Sequence, residues 1–283
     1  MDTELSVTSL LRQPLPPTRM VKLASGSLEY RQAGESTTGD TVILLHGLGS
    51  SSAGYRAQLA GLSNERRLVA WNAPGFGASA QLPGAKPEVG EYAASLMALV
   101  DALGESKVDL VGSSWGSLIA AEFARLHPQK VRSLVLVVPT AGYAHLSDLE
   151  KAAQIEARLN GMRIADDSGR VAQFLADNAD AVAVSRFLEL RSAVNRHGFE
   201  QATRMLYRCD PMAIYGELTV RTLIIAGDLD RVSPPAKIQL IHQRIAQSNL
   251  RVLSGCGHIP KLEKPGELNT LLRDFWRSGE GSA

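Results

Sequence analysis

Short apolar runs alternate along the chain with longer stretches of helical spacing. Six runs read as buried strands: 41–45 (TVILL), 67–71 (RLVAW), 108–111 (VDLV), 131–138 (VRSLVLVV), 222–226 (TLIIA) and 250–253 (LRVL). Each is rich in β-branched residues or leucine and nearly continuous in its hydrophobicity, as expected of strands covered on both faces. Between them, apolar positions recur at helical spacing over 54–62, 89–103, 115–127, 235–246 and 265–276. Strands and helices in alternation predict an α/β fold, with a mostly parallel sheet connected by crossovers and helices on both of its faces. The run 28–32 is more polar and is expected to form an antiparallel edge.

The alternation stops between 144 and 216. No strand-like run occurs there, whereas 148–159, 169–176, 181–194 and 199–207 all carry helical spacing, punctuated by Gly161, Gly169, Gly198 and Pro211. The expected organisation is therefore a first core part at 1–143, an all-helical insert at 144–216 and a second core part at 217–283. Residues 1 to about 20, ending in Pro14, Pro16 and Pro17, read as an arm that packs late or loosely, and 278–283 as a Gly/Ser-rich tail.

Composition narrows the class without choosing a chemistry. The 283 residues are 45% hydrophobic and 21% charged, close to the globular average, which excludes disorder, collagen and coiled coil. At about 150 residues per domain the chain is nearly two domains long, but an insert within one core accounts for the same length. Lys plus Arg is 30 and Asp plus Glu is 29, leaving +1, so no net field draws the chain to nucleic acid or an anionic membrane. Cys209 and Cys256 cannot form a disulfide framework and lack metal-ligand spacing, which fits a reducing compartment. Asp2 and Glu4 interrupt any signal-like start, and no stretch approaches the roughly 18 apolar residues of a spanning helix. The expectation is a cytoplasmic protein that needs no metal or cofactor and acts on a small molecule; its oligomeric state is left open.

Gly112-Ser113-Ser114-Trp115-Gly116 matches G-x-S-x-G, a pattern weak on its own. Its setting gives it a mechanism, because it follows a buried strand directly and precedes a helix directly. A sharp turn there projects the central hydroxyl, and its neighbours two positions away must lack side chains so that strand and helix can approach. The helix N-terminus at Ser114 also favours developing negative charge. Only Ser114, not the adjacent Ser113, has glycine at both offsets.

A serine hydroxyl is a poor nucleophile at neutral pH and needs a base, which in turn needs an orienting acid. Gly227-Asp228-Leu229-Asp230 follows the strand 222–226, and Gly257-His258 follows 250–253. Both segments fall beyond the carboxyl ends of strands, on the same edge as Ser114, where open parallel sheets place their sites.

With this order of Ser, Asp and His, the chain resembles the α/β-hydrolase superfamily from about residue 25 to residue 276. His46-Gly47-Leu48-Gly49 is similar to the family's HG-x-G loop, and 72–79 (NAPGFGAS) to its D-x-P-G-x-G-x-S loop. The elbow at Ser114 and the pair of Gly-x-x-Asp and Gly-His-x-Pro segments complete the likeness. It implies Ser114 as nucleophile, His258 as general acid and base, and Asp230 as the acid that orients His258. It also implies an oxyanion hole from the backbone N–H groups of Leu48 and Trp115, and the insert as a cap over the pocket. Asn72 departs from the family's usual Asp and predicts a changed loop contact.

Competing readings attach to several of these residues. Asp228 competes with Asp230, although the family spacing favours Asp230. His46 is read as a brace for its glycine-rich loop, and Cys256 as a small buried residue. Cys209 reads as packing. His127 reads as a helix end, His242 as a surface residue, and His145 and His197 as solvated or facing substrate. Arg158, Arg163, Arg186, Arg191, Arg196, Arg204 and Arg208 of the insert read as a solvated face that can hide a ligand for a substrate carboxylate.

The implied activity is that of a carboxylic ester hydrolase acting on a small to medium ester, thioester or lactone. Cys256-Gly257-His258 also resembles carbon–carbon bond hydrolases of ring-cleavage diketone acids. Against that likeness, Ile259 replaces their usual aromatic residue, and Gly49-Ser50-Ser51 replaces their proline-containing loop. Ser114-Trp115-Gly116-Ser117 resembles the elbow of proline-releasing peptidases, whose HGGPG-type loop is missing here. A small-molecule receptor on the same scaffold is the rival from outside enzymology.

Overall fold

The computed structural model describes residues 6–24, 26–35, 41–163 and 168–279. The first five residues of the expected arm, with Asp2 and Glu4, lie outside the described residues. So do 164–167 of the insert, the tail from 280 and the side chain of Arg163.

In chain order the elements begin with α1 (Val7–Arg12), β1 (Thr18–Leu23), β2 (Gly26–Ala33), β3 (Thr41–Leu45), α2 (Arg56–Leu62) and β4 (Arg67–Trp71). They continue with α3 (Val89–Ala102), β5 (Val108–Ser113), α4 (Trp115–Leu126) and β6 (Val131–Val137). Between β6 and the next strand the described residues form helices alone: α5 (Asp148–Asn160), α6 (Ser168–Phe174), α7 (Ala181–Ser192), α8 (Arg196–Arg208) and α9 (Pro211–Gly216), with one 3₁₀ turn, Gly161–Arg163. The chain closes with β7 (Thr222–Gly227), α10 (Pro235–Arg244), β8 (Ser248–Leu253), α11 (Pro260–Glu263) and α12 (Pro265–Arg277). Among the described residues no helix is long and apolar enough to cross a membrane.

The strands form one eight-stranded sheet in the order β1-β2-β4-β3-β5-β6-β7-β8. β1, β2 and β4 pair antiparallel, and every other pairing is parallel. The central runs are continuous in hydrophobicity because alternate residues enter two different cores. Ile43 and Leu45 join Leu96, Leu99 and Leu118 of α3 and α4 on one face, whereas Val42 and Leu44 join Leu59 of α2 and Leu268 and Leu272 of α12 on the other.

Three expectations are corrected. The run 28–32 is antiparallel but is not the edge, because the unpredicted β1 pairs outside it. The run 250–253 is the outer strand β8 rather than a buried one, and only Leu253 in it is buried. The arm is not loosely packed from Ser6 onward. The Ser6 hydroxyl caps α1, and Leu10 and Leu11 are buried with Ala57, Phe187 and Leu262, while Arg186 of α7 donates to the Leu11 carbonyl at 3.1 Å.

Because Leu11 is 1% exposed, Leu11→Ala is expected to cost about 3 kcal/mol of stability through lost burial and the cavity left behind. A lowered urea midpoint with an unchanged slope is the expected result, and an unchanged midpoint would show that α1 adds nothing.

Candidate active site

The site begins with a backbone constraint. Ser114, between β5 and α4, has φ 51° and ψ −116°, a conformation that L-residues rarely adopt. The glycines around it leave no alternative geometry. A Cβ on Gly112 would stand 2.5 Å from the Gly116 carbonyl oxygen, and one on Gly116 would stand 2.4 Å from that of Leu45. The Ser114 N–H donates to Val137 O at 2.8 Å, fixing the turn to the end of β6.

The turn presents Ser114 Oγ to His258 Nε2 at 2.9 Å, and His258 Nδ1 lies 2.7 Å from Asp230 Oδ2. A carboxylate at Nδ1 keeps the proton there, so Nε2 is bare and accepts from the serine hydroxyl. The other oxygen of Asp230 accepts from the N–H groups of Val232 at 2.7 Å and Ser233 at 2.9 Å. Burial alone would push this carboxyl up, but the hydrogen bond and charge of His258 and the two N–H donors hold it below its ordinary value.

The competing acid lies elsewhere. Asp228 accepts from Cys256 N at 3.1 Å and Ser254 Oγ at 3.3 Å, tying together the loops after β7 and β8. The Cys256 thiol is buried and pushed up by that burial, away from the reactive thiolate form.

The loop after β3 closes the other side. Gly47 packs against Ser114, with space for a Cβ ending 3.5 Å from the serine Cβ. No acceptor among the described residues takes the backbone N–H of Leu48 or Trp115, and both residues line the cavity over Ser114. His46 is fully buried; its Nδ1 lies 2.9 Å from the Gly47 carbonyl and its Nε2 accepts from Ala73 N at 3.1 Å. Desolvation lowers its pKa to about 3, so the ring is a neutral brace between two loops. Asn72 explains its departure from Asp. Its oxygen accepts from Ser52 N at 2.7 Å while its amide nitrogen donates to Glu29, where an Asp would face a second carboxylate.

Residues between β6 and β7 complete the cavity. His258 N donates to Phe174 O at 2.7 Å, and the Phe174 ring stands edge-on to the imidazole at 5.5 Å. Tyr143, Phe187 and Leu206 add apolar wall. Of the arginines read as a solvated face, Arg158 and Arg191 line this cavity, joined by Arg170. Arg186, Arg204 and Arg208 instead pair with Glu189, Glu200 and Glu88.

Sequence reasoning passed over Glu263. Its buried carboxylate accepts from the N–H groups on both sides of His258, Gly257 at 2.9 Å and Ile259 at 2.9 Å, and from Ala176 N at 2.8 Å. The signal was a carboxylate in a four-residue helix begun by Pro260, just beyond the histidine. Glu263→Gln keeps the size but turns an N–H₂ toward one of these donors. It is expected to lower kcat by about 10- to 100-fold with KM little changed, since small misplacements of a catalytic group cost rates of this order. Unchanged kcat in the folded variant would remove Glu263 from any positioning role.

Known proteins resemble the chain over most of its length. The family model described as alpha/beta hydrolase fold matches residues 40–265. A 2-hydroxy-6-oxo-2,4-heptadienoate hydrolase of Pseudomonas putida is 31% identical over 252 residues, covering 84% of this chain and 89% of the relative. A pimeloyl-(acyl-carrier protein) methyl ester esterase of Neisseria meningitidis serogroup B is 27% identical, covering 84% and 93%. Among solved structures, a hydrolase from Pseudomonas aeruginosa superposes with a TM-score of 0.78 at 27% identity, covering 92% of this chain and 98% of that one. Sheet order, the turn at Ser114 and these matches agree, and the chain belongs to the α/β-hydrolase family and is a hydrolase of that fold.

Proposed function

We propose that the protein is a serine hydrolase that cleaves a small to medium ester, thioester or lactone through an acyl-enzyme on Ser114. The observation that carries this reading is the unbroken hydrogen-bonded line from Ser114 Oγ through His258 to Asp230, at 2.9 and 2.7 Å. In the first step Ser114 Oγ attacks the substrate carbonyl while His258 Nε2 takes its proton and the Asp230 carboxylate stabilises the imidazolium. The oxygen that becomes negative is received by the N–H groups of Leu48 and Trp115, at the positive end of α4. Collapse of the intermediate expels the alcohol or thiol, protonated by His258. Water then attacks the acyl group with His258 again as base, and Ser114 is restored.

These steps call on no cofactor or metal. Residues 144–216 serve as a cap that shields the acyl-enzyme from bulk water, supported by the contact of Phe174 with His258 and by the apolar wall. A small substrate and a reducing, cytoplasmic setting fit the near-neutral charge and the two unpaired cysteines.

A second reading, carbon–carbon cleavage of a ring-cleavage diketone acid, is supported by the likeness to the Pseudomonas putida relative, named as a 2-hydroxy-6-oxo-2,4-heptadienoate hydrolase. Ile259, where those enzymes resemble one another in an aromatic residue, weighs against it.

A fluorophosphonate probe and a panel of acyl esters graded in chain length test the reading. Wild type is expected to be labelled on Ser114 and to turn over at least one ester, and Ser114→Ala to lose both. His258→Ala is expected to lower kcat by about 10⁴-fold or more while substrate still binds. Labelling that survives Ser114→Ala would end the proposal. Labelling with turnover of a diketone acid and of no ester would move the assignment to carbon–carbon cleavage.

A further inference from the structure

One cation in the cavity is held unlike the others. Lys261, three residues beyond His258 on α11, lines the cavity and is 3% exposed, yet no described residue accepts a hydrogen bond from its amine or forms an ion pair with it. The amine lies over the Tyr55 ring at 4.5 Å, and the Tyr55 hydroxyl is already committed to Leu45 O at 2.7 Å. Glu263, on the same short helix, is committed to three backbone N–H groups. An ammonium carries three donors, and burying it without acceptors or counter-charge disfavours its charged form. Desolvation accordingly pushes Lys261 down to about 7.

A second unpartnered group stands beside it. The Ser50 hydroxyl is buried, lines the same cavity and has no hydrogen-bond partner. Both groups crowd the space over Gly54, where a Cβ would stand 2.5 Å from Ser50 Oγ and 3.3 Å from Lys261 Nζ. Among the described residues no Asp or Glu lines the cavity, and Arg158 adds a further cationic side chain to its wall. Two adjacent buried donors without acceptors match the two oxygens of one carboxylate, whose arrival would favour the charged form of the amine.

Resting on the serine-hydrolase reading, we propose that Lys261 and Ser50 form an anion-binding subsite and that the substrate is an ester, thioester or lactone bearing a free carboxylate. Its carbonyl lies at Ser114, while one carboxylate oxygen accepts from Lys261 Nζ and the other from Ser50 Oγ. The subsite selects substrate without touching the reacting atoms. Its loss therefore acts on discrimination between charged and neutral esters.

The experiment compares kcat/KM within two matched pairs. The mono(para-nitrophenyl) ester of adipic acid against para-nitrophenyl hexanoate places the carboxylate on the acyl side. Para-acetoxybenzoate against para-acetoxybenzamide places it on the leaving side. Wild type is expected to favour the charged member of at least one pair by about 10-fold or more, the worth of one charge-assisted hydrogen bond. Lys261→Met, which keeps the volume and removes the charge, and Ser50→Ala are each expected to bring that ratio toward one. Fluorophosphonate labelling of Ser114 in the same preparations reports on the nucleophile separately. A labelled, active wild type with a ratio near one in both pairs would overturn the subsite and leave the hydrolase reading standing. A preference that survives both substitutions would overturn it too. An unlabelled wild type would take down the parent reading and the subsite with it. If Lys261→Met does not fold, the wild-type ratio and Ser50→Ala decide.

Discussion

The close approach of backbone to backbone around Ser114 is the constraint on which the site depends. β5 runs straight into α4, and the turn fits only because Gly112 and Gly116 offer no Cβ to the carbonyls they face. Ser114 itself takes the strained conformation, at φ 51°, and its hydroxyl is thereby lifted off the sheet edge toward His258. The same economy of side chains recurs between the loops that carry the acid and the histidine. A Cβ on Gly227 would stand 2.3 Å from the Gly257 carbonyl oxygen, so these loops approach as closely as the strands β7 and β8 beneath them.

The second layer of support comes from outside the sheet. His258 is held through its own N–H by the Phe174 carbonyl, and through the N–H groups of its two neighbours by Glu263, which also reaches Ala176. A Cβ on Gly257 would meet the backbone of 174–176 at 2.7 to 2.9 Å, so the helical segment and the histidine loop share one packed contact. Movement of 174–176 would therefore disturb the placement of His258.

The central strands were legible because burial on both faces makes them nearly continuous in hydrophobicity, and β3 and β4 begin and end where the runs 41–45 and 67–71 do. Ser114, Asp230 and His258 were legible because each follows an apolar run that ends in a glycine-containing loop, and the structure brings all three within hydrogen-bonding reach. β1 escaped notice because an outer strand such as TRMVKL is exposed at most positions and carries charges along its length. α1 escaped because two leucines in a six-residue helix establish no period, and their burial depends on α2, α7 and α11, distant in sequence. Glu263 and Lys261 share one short helix, and no motif or spacing in the sequence marks either for burial. Their burial is decided wholly by tertiary contacts, with backbone N–H groups surrounding one and an aromatic face under the other.

The most direct measurement is a crystal structure of the protein after reaction with a fluorophosphonate, which leaves a tetrahedral phosphonyl group as a mimic of the acyl-transfer intermediate. The expected adduct is a covalent bond from phosphorus to Ser114 Oγ, with the phosphonyl oxygen accepting from the N–H groups of both Leu48 and Trp115 and His258 still joined to Asp230. An adduct on another residue, or a phosphonyl oxygen turned away from those two N–H groups, would contradict the assignment of Ser114 and its surroundings as an acyl-transfer centre.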